Sequence, residues 1–301
     1  MSNYVLSCCS TADLAKEHFE SRNISYICFH YFLDGKEYPD DLGQSIPFDK
    51  FYQAMVDGAD TKTSQVSAGE YIEYFSKFLD EGKDILHLTL SSGISGSYMS
   101  ACAAAQTLAE KYPDRKIRIV DSLSAASGYG LLIDAMADRR DEGMSLDEVA
   151  DWAEENLKNL QIWFFSSDLT FYVKGGRVSK TAGAIGGLLG ICPLLNMDDA
   201  GKLIPREKLR PKKRAINRIV ELMKEHAVNG TEYSGKAYIC HSACEEDACA
   251  VADLIEANFP NLKEKVLINS IGTVIGSHTG PGTVALFYWG RDRKLPMLDA
   301  Q

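Results

Sequence analysis

Apolar residues along this chain fall into two alternating patterns. Short β-prone runs predict strands at Tyr4-Val5-Leu6, Tyr26–Leu33, Asp84–Leu90 and Lys116–Asp121. Between them lie helix-forming stretches with polar start signals. Ser10 reads as an N-cap, with Thr11, Ala12 and Asp13 opening a helix. Ser67 with Glu70, and Ser145 with Glu148, have capping-box spacing ahead of helices through Phe75 and Phe78 and through Leu157. Met99–Leu108 is rich in good helix formers, and Leu131, Leu132 and Met136 share a helical face after Ser122-Leu123-Ser124. Asp34-Gly35 marks a hairpin after the Tyr26 run. Strand alternating with helix to about residue 160 predicts a parallel α/β sheet. Ligands bind beyond the carboxyl ends of such strands, where Ser10, Ser95 and Ser122 fall.

The pattern changes after Gln161. Ile162–Ser166 predicts a strand, and Ala182 to Leu189 is a helix-like run rich in Gly and Ala that must pack closely. Asp198-Asp199-Ala200-Gly201 joins two β segments as a hairpin. Pro211 suits the first turn of a helix over Lys212–His226. Strands near Ala237–Ile239 and Val266–Ile268 enclose a helix around Leu254, and Val284–Tyr288 follows a Gly/Pro-rich loop containing His278.

At 301 residues the chain can form two domains. Its net charge of −10 argues against nucleic acid as the main partner. No run of about 18 apolar residues is present, so nothing is expected to span a membrane. The first ten residues lack the features of a signal peptide, which places the protein in the cytoplasm. Its eight cysteines are then expected as thiols. Cys240, His241, Cys244 and Cys249 lack the spacing of a metal site, so no metal and no resident cofactor are expected.

The stretch from Leu88 to Tyr98 organises the chemistry. A strand that turns through Gly and Ser into a helix leaves free N–H groups beside the positive end of the helix dipole, which favours an anion. Ser95 sits at or next to the N-cap, its hydroxyl available to donate or to cap the helix. Thr63 and Ser64 are expected on a loop before their helix, so capping does not account for them. No Walker A loop, dinucleotide fingerprint or zincin spacing is present. Ser95 and His278 also allow a Ser/His acyl hydrolase, although Gly93-Ile94-Ser95-Gly96-Ser97 lacks the last glycine of a nucleophile elbow. Hydroxyls, one imidazole and one guanidinium are donors suited to a carboxylate or phosphate, which points to a binding protein before an enzyme. Lys208, Arg210, Lys212, Lys213, Arg214 and Arg218 form a basic patch, either a solvated face or a dock for an acidic partner.

Five ordered motifs resemble the DegV family of bacterial fatty-acid-binding proteins over nearly the whole chain. They are Thr63-Ser64-Gln65-Val66-Ser67, Ser91 to Tyr98, Val120-Asp121-Ser122, Gly175-Gly176-Arg177-Val178-Ser179, and His278 to Thr283. Cys9 stands where the family has Asp, and Val66 replaces a Pro. The resemblance implies a Rossmann-like α/β domain over 1–160 with a small β insert at about 24–48. A second α/β domain with a mixed sheet would cover 161–301, and an acyl chain would be buried between the two. It implies that Thr63 and Ser95 hold the carboxylate with His278 close by; Ser64 and Gly96 beside them complete the candidate carboxylate site, Arg177 is expected near the head group, and Arg210 and Lys213 of the basic patch are expected to face a partner. It implies no catalytic residue. The protein would be a lipid carrier that presents a long-chain fatty acid to a separate fatty acid kinase, for acyl-phosphate formation and phospholipid metabolism. Burying ~14 methylenes at roughly 0.8 kcal/mol each gives about 11 kcal/mol gross. The Gly/Ala-rich run Thr181 to Gly190 would let a chain approach closely.

Overall fold

The computed structural model describes residues 4–179 and 190–293. The helix-like run expected at Ala182 to Leu189 therefore lies outside the described residues.

The first half builds a four-stranded, wholly parallel sheet of order β2-β1-β6-β7 from β1 (Tyr4–Cys9), β2 (Ser25–Ile27), β6 (Asp84–Thr89) and β7 (Ile117–Asp121). Its central strands β1 and β6 are buried almost throughout, as a parallel sheet covered on both faces requires, and the buried Ser7 and His87 are paired at 2.9 Å. Both capping boxes form. Ser67 and Glu70 start α3 (Ala68–Asp80), and Ser145 and Glu148 start α6 (Leu146–Asn156). Each box satisfies two N–H groups that a helix start leaves without partners. The helix α5 (Ser127–Asp141) is buried from Ser127 through Ala137. An apolar face of Leu131, Leu132 and Met136 understates it, because α5 also packs on the second sheet.

That second sheet has six strands in the order β10-β9-β8-β13-β11-β12. They are β8 (Leu160–Ser166), β9 (Cys192–Met197), β10 (Leu203–Leu209), β11 (Ala237–His241), β12 (Leu267–Ser270) and β13 (Thr283–Trp289). Only β11 and β12 pair in parallel, so the sheet is mixed. Its outer layer is α8 (Lys212–His226), with Pro211 before its first turn as expected, and α9 (Glu245–Asn258). The two sheets are tied by Asp134 of α5, which is 1% exposed. It accepts from Lys236 (2.5 Å) and Tyr238 (3.2 Å), and it meets His18 (3.0 Å) and Arg22 (3.1 Å) of the first half.

A third, antiparallel sheet of order β4-β3-β5 joins β3 (His30–Leu33) and β4 (Lys36–Pro39), the Asp34-Gly35 hairpin, to β5 (Thr61–Ser64). Its strands thus run beyond the stretch 24–48, and the segment around Tyr26 pairs with β1 instead. Ser10 is not an N-cap: Ser10–Ala12 is a 3-10 turn, and α1 begins only at Lys16 (Lys16–Ser21). Its hydroxyl instead donates to Asp40 at 2.8 Å and accepts from Phe29 N–H at 3.1 Å, tying the small sheet to the parallel one.

Candidate functional site

Beyond β6 the chain makes the turn that the Gly/Ser pattern predicts. Ile94 and Ser95 N–H both donate to Ser91 O, at 3.2 and 3.1 Å. The 15-residue helix α4 (Ser97–Lys111) then starts with Gly96 at its N-cap. Ser95 Oγ accepts from Ser97 N–H at 3.2 Å, which leaves the hydroxyl proton free to donate. Gly96 packs against the Gln65 amide, which a Cβ, 2.7 Å from Oε1, would push aside. The other side of the turn is held by the hairpin between β9 and β10. Ser91 Oγ donates to Gly201 O at 2.9 Å, and a Cβ on Gly93 would lie 2.3 Å from Ala200 O.

Two sequence expectations change here. Thr63 and Ser64 are not on a loop; they end strand β5, in register with Tyr31 and His30 of β3. His278 is not in a loop either. It lies in the last turn of α10 (Thr273–Thr279), and the Gly/Pro turn begins only after it. A remote side chain holds the start of α10: Asp40, the residue after β4, accepts from Thr273 N–H at 3.2 Å and Thr273 Oγ1 at 2.6 Å. Buried charge is costly, and burial raises the carboxyls of both Asp40 and its neighbour Asp13 above the usual range.

His278 Nε2 and Thr63 Oγ1 are 2.8 Å apart. Burial, and then the nearby Arg177 cation, push the imidazole down to about 4, so it is neutral at pH 7. Its Nδ1 is buried with no hydrogen-bond partner, against Gly175, where a Cβ would lie 2.2 Å away. A proton on Nδ1 would be unsatisfied, so the favoured tautomer carries it on Nε2, donating to Thr63. Thr63 then keeps its own proton for an anion. Arg177 donates to Gly175 O at 2.5 Å, and burial lowers its pKa.

Thr63, Ser64, Ser95, Gly96, Arg177 and His278 all line one cavity of about 610 Å³ between the sheets. Away from this polar end the wall is mostly apolar, with Phe29, Leu90, Ile162, Phe164, Ile271 and Phe287 among its residues. Met197 and Leu203, flanking the hairpin turn, close another side. Arg210 and Lys213 are exposed and do not line the cavity. Two other residues of the basic patch are engaged on the surface, Arg218 with Glu207 (2.9 Å) and Glu225 (2.7 Å), and Lys212 with Asp247 (2.6 Å).

The residues do not assemble a hydrolytic triad. His278 Nε2 bonds Thr63, Ser95 Oγ bonds Ser97 N–H, and no carboxylate meets Nδ1. Sequence reasoning missed Asp40, which holds the helix of His278, and Tyr172 in the cavity wall; it named Gly175 and Thr283 only as motif members, without their places against His278 and in the wall. The Gly-Gly pair was the one signal for Gly175; nothing local marks Asp40 as a distant helix cap. Cys9, in place of the family's Asp, is buried with Tyr71 OH at 3.2 Å, and burial pushes its thiol up to about 11. No described helix is long and apolar enough to cross a membrane.

Residues 9–291 match the model of the DegV family, described as an uncharacterised protein family. A DegV domain-containing protein of Clostridium perfringens is 38% identical over 296 residues, spanning 98% of this chain and 100% of that protein. A DegV lipid binding protein of Thermotoga maritima has a similar structure, with TM-score 0.82, 29% identity, and coverage of 98% of this chain and 100% of that one. A DegV family protein of Thermus thermophilus, solved for its fatty acid binding, gives TM-score 0.84 at 27% identity, over 95% of this chain and 99% of that one.

Proposed function

This chain belongs to the DegV family, and we propose that it is a carrier that buries one long-chain fatty acid between its two sheets. The observation that carries this reading is a mostly apolar cavity of about 610 Å³ with hydrogen-bond donors gathered at one end. Apolar burial supplies the affinity, and the donors fix the orientation. Thr63 and Ser95 each have a hydroxyl proton free to donate to the carboxylate. Ser64 and the Gly96 turn complete the cradle. The neutral His278 orients Thr63, and Arg177 adds positive charge beside it. The lipid binding named for the Thermotoga and Thermus relatives supports the same reading.

The carrier presents its carboxylate to a separate kinase that makes the acyl phosphate. Arg177 lies where added negative charge would develop, and the exposed Arg210 and Lys213 form the docking surface for an acidic partner. The working place of such a carrier is the cytoplasm. Native mass spectrometry of freshly purified protein, followed by solvent extraction, tests the reading. A bound mass in the fatty-acid range is expected. No acyl lipid, together with no uptake of added palmitate or oleate, refutes it. An acyl adduct on Ser95, or ester hydrolysis lost in both Ser95→Ala and His278→Ala, would favour a hydrolase instead.

A further inference from the structure

We infer that the cavity receives an acyl chain bearing a hydroxyl group among its first few carbons, with Tyr172 as the acceptor; this rests on the fatty-acid reading above. Tyr172 belongs to the short helix α7 (Thr170–Lys174) and, like Thr283, lines the cavity while being 1% exposed. Tyr172 OH lies 2.9 Å from Thr283 Oγ1, which lies 3.0 Å from Ser166 Oγ. Ser166 Oγ in turn donates to Asp168 O at 2.8 Å.

The far end of this chain sets its direction, because a carbonyl oxygen only accepts. Ser166 spends its proton on Asp168 O and also accepts from Asp168 N–H at 3.4 Å. Thr283 must therefore donate to Ser166, and Tyr172 must donate to Thr283. The phenol has then used its one proton, and its oxygen keeps acceptor capacity in a residue that lines the cavity. That oxygen matches a ligand O–H and not an ether or keto oxygen. Packing does not call for the hydroxyl, since a phenylalanine ring would stack on Phe164 as Tyr172 does, with centroids 6.0 Å apart and planes at 16°.

Strand geometry locates the group. Thr283, Ala285 and Phe287 alternate along β13, and all three face the cavity. Four residues of strand span ~13 Å. Thr283 is at the end that follows α10 and His278, so its neighbourhood is the carboxyl-proximal part of the chain.

The test is calorimetric titration of the delipidated full-length protein with palmitic, 3-hydroxypalmitic and 3-methoxypalmitic acids. One net hydrogen bond of about 1 kcal/mol corresponds to about fivefold in Kd. The 3-hydroxy acid should bind about fivefold tighter than palmitate, and the 3-methoxy acid, which has no proton to donate, should lose that gain. In Tyr172→Phe/Thr283→Val, which removes both wall hydroxyls, the ratio of the two constants should fall below one. Equal or weaker binding of the 3-hydroxy acid by wild type overturns the inference, as does a preference that survives in the double variant. An equal gain for 12-hydroxystearate over stearate overturns the placement. Failure of every acid to bind would instead remove the fatty-acid reading itself.

Discussion

Gly175→Ala tests how the head-group site is held together without altering a single charge or hydrogen-bonding side chain. The added methyl would stand 2.2 Å from His278 Nδ1 and 3.2 Å from its Cγ and Cε1. Ordinary contact needs about 3.5 Å, so the imidazole must retreat by roughly an ångström. Its 2.8 Å bond to Thr63 cannot survive that retreat. Thr63 then loses the partner that, in the proposed site, orients it toward the carboxylate. A hydrogen bond to a charged group is worth about 1.5–3 kcal/mol, so the fatty-acid Kd should rise roughly 10- to 150-fold. Overpacking should lower stability by about 1–3 kcal/mol as well. Titration calorimetry with palmitate and thermal unfolding measure the two effects separately. A double-mutant cycle supplies the control: in a His278→Ala background there is no ring to displace, and Gly175→Ala should add little. Wild-type affinity in the single variant, or an undiminished loss in the double, would refute the reasoning.

Asp134→Ala would remove the buried carboxylate that Lys236, Tyr238, His18 and Arg22 share, while Lys236 and Arg22 keep Asp138; a loss of about 1.5–3 kcal/mol in urea unfolding is expected, and no measurable loss would show the hub to be dispensable. His278 has a folded-state pKa lowered from 6.5 to about 4, so the unfolded chain binds the extra proton in that window. Its contribution is intact above pH 6.5 and is lost as the pH falls toward 4, by up to about 3 kcal/mol. His278→Gln should flatten that acid slope; comparing the two proteins isolates the imidazole from Asp13 and Asp40, whose raised pKa values act with the opposite sign. Ser95→Ala should weaken fatty-acid binding with a small change in melting temperature, whereas a lower melting temperature with unchanged affinity would make Ser95 only a structural part of its turn. Reversing charge at Arg210 and Lys213 should weaken binding to an added fatty acid kinase, more at low salt, while lipid binding persists; equal effects on both would place them in the lipid site.

Much of the architecture was legible in the sequence because local physics decided it. The capping boxes at Ser67 and Ser145, the Asp34-Gly35 hairpin, the Asp198–Gly201 turn and the start of α8 after Pro211 depend on residues a few positions apart. The Ser95 turn was readable for the same reason: a strand that enters a helix through Gly and Ser must expose N–H groups there. The sequence could not assign environment. Ser10 has the composition of a cap, but Asp40, 30 residues away, engages its hydroxyl. His278 lies among glycines and reads as a loop residue, yet the same Asp40 caps the helix that carries it inward. Thr63 and His278 are 215 residues apart, and only the packing of the small sheet against α10 makes them neighbours. Burial is a property of what surrounds a side chain. It is this burial that makes the His278 imidazole neutral, selects its tautomer and leaves the Thr63 proton free.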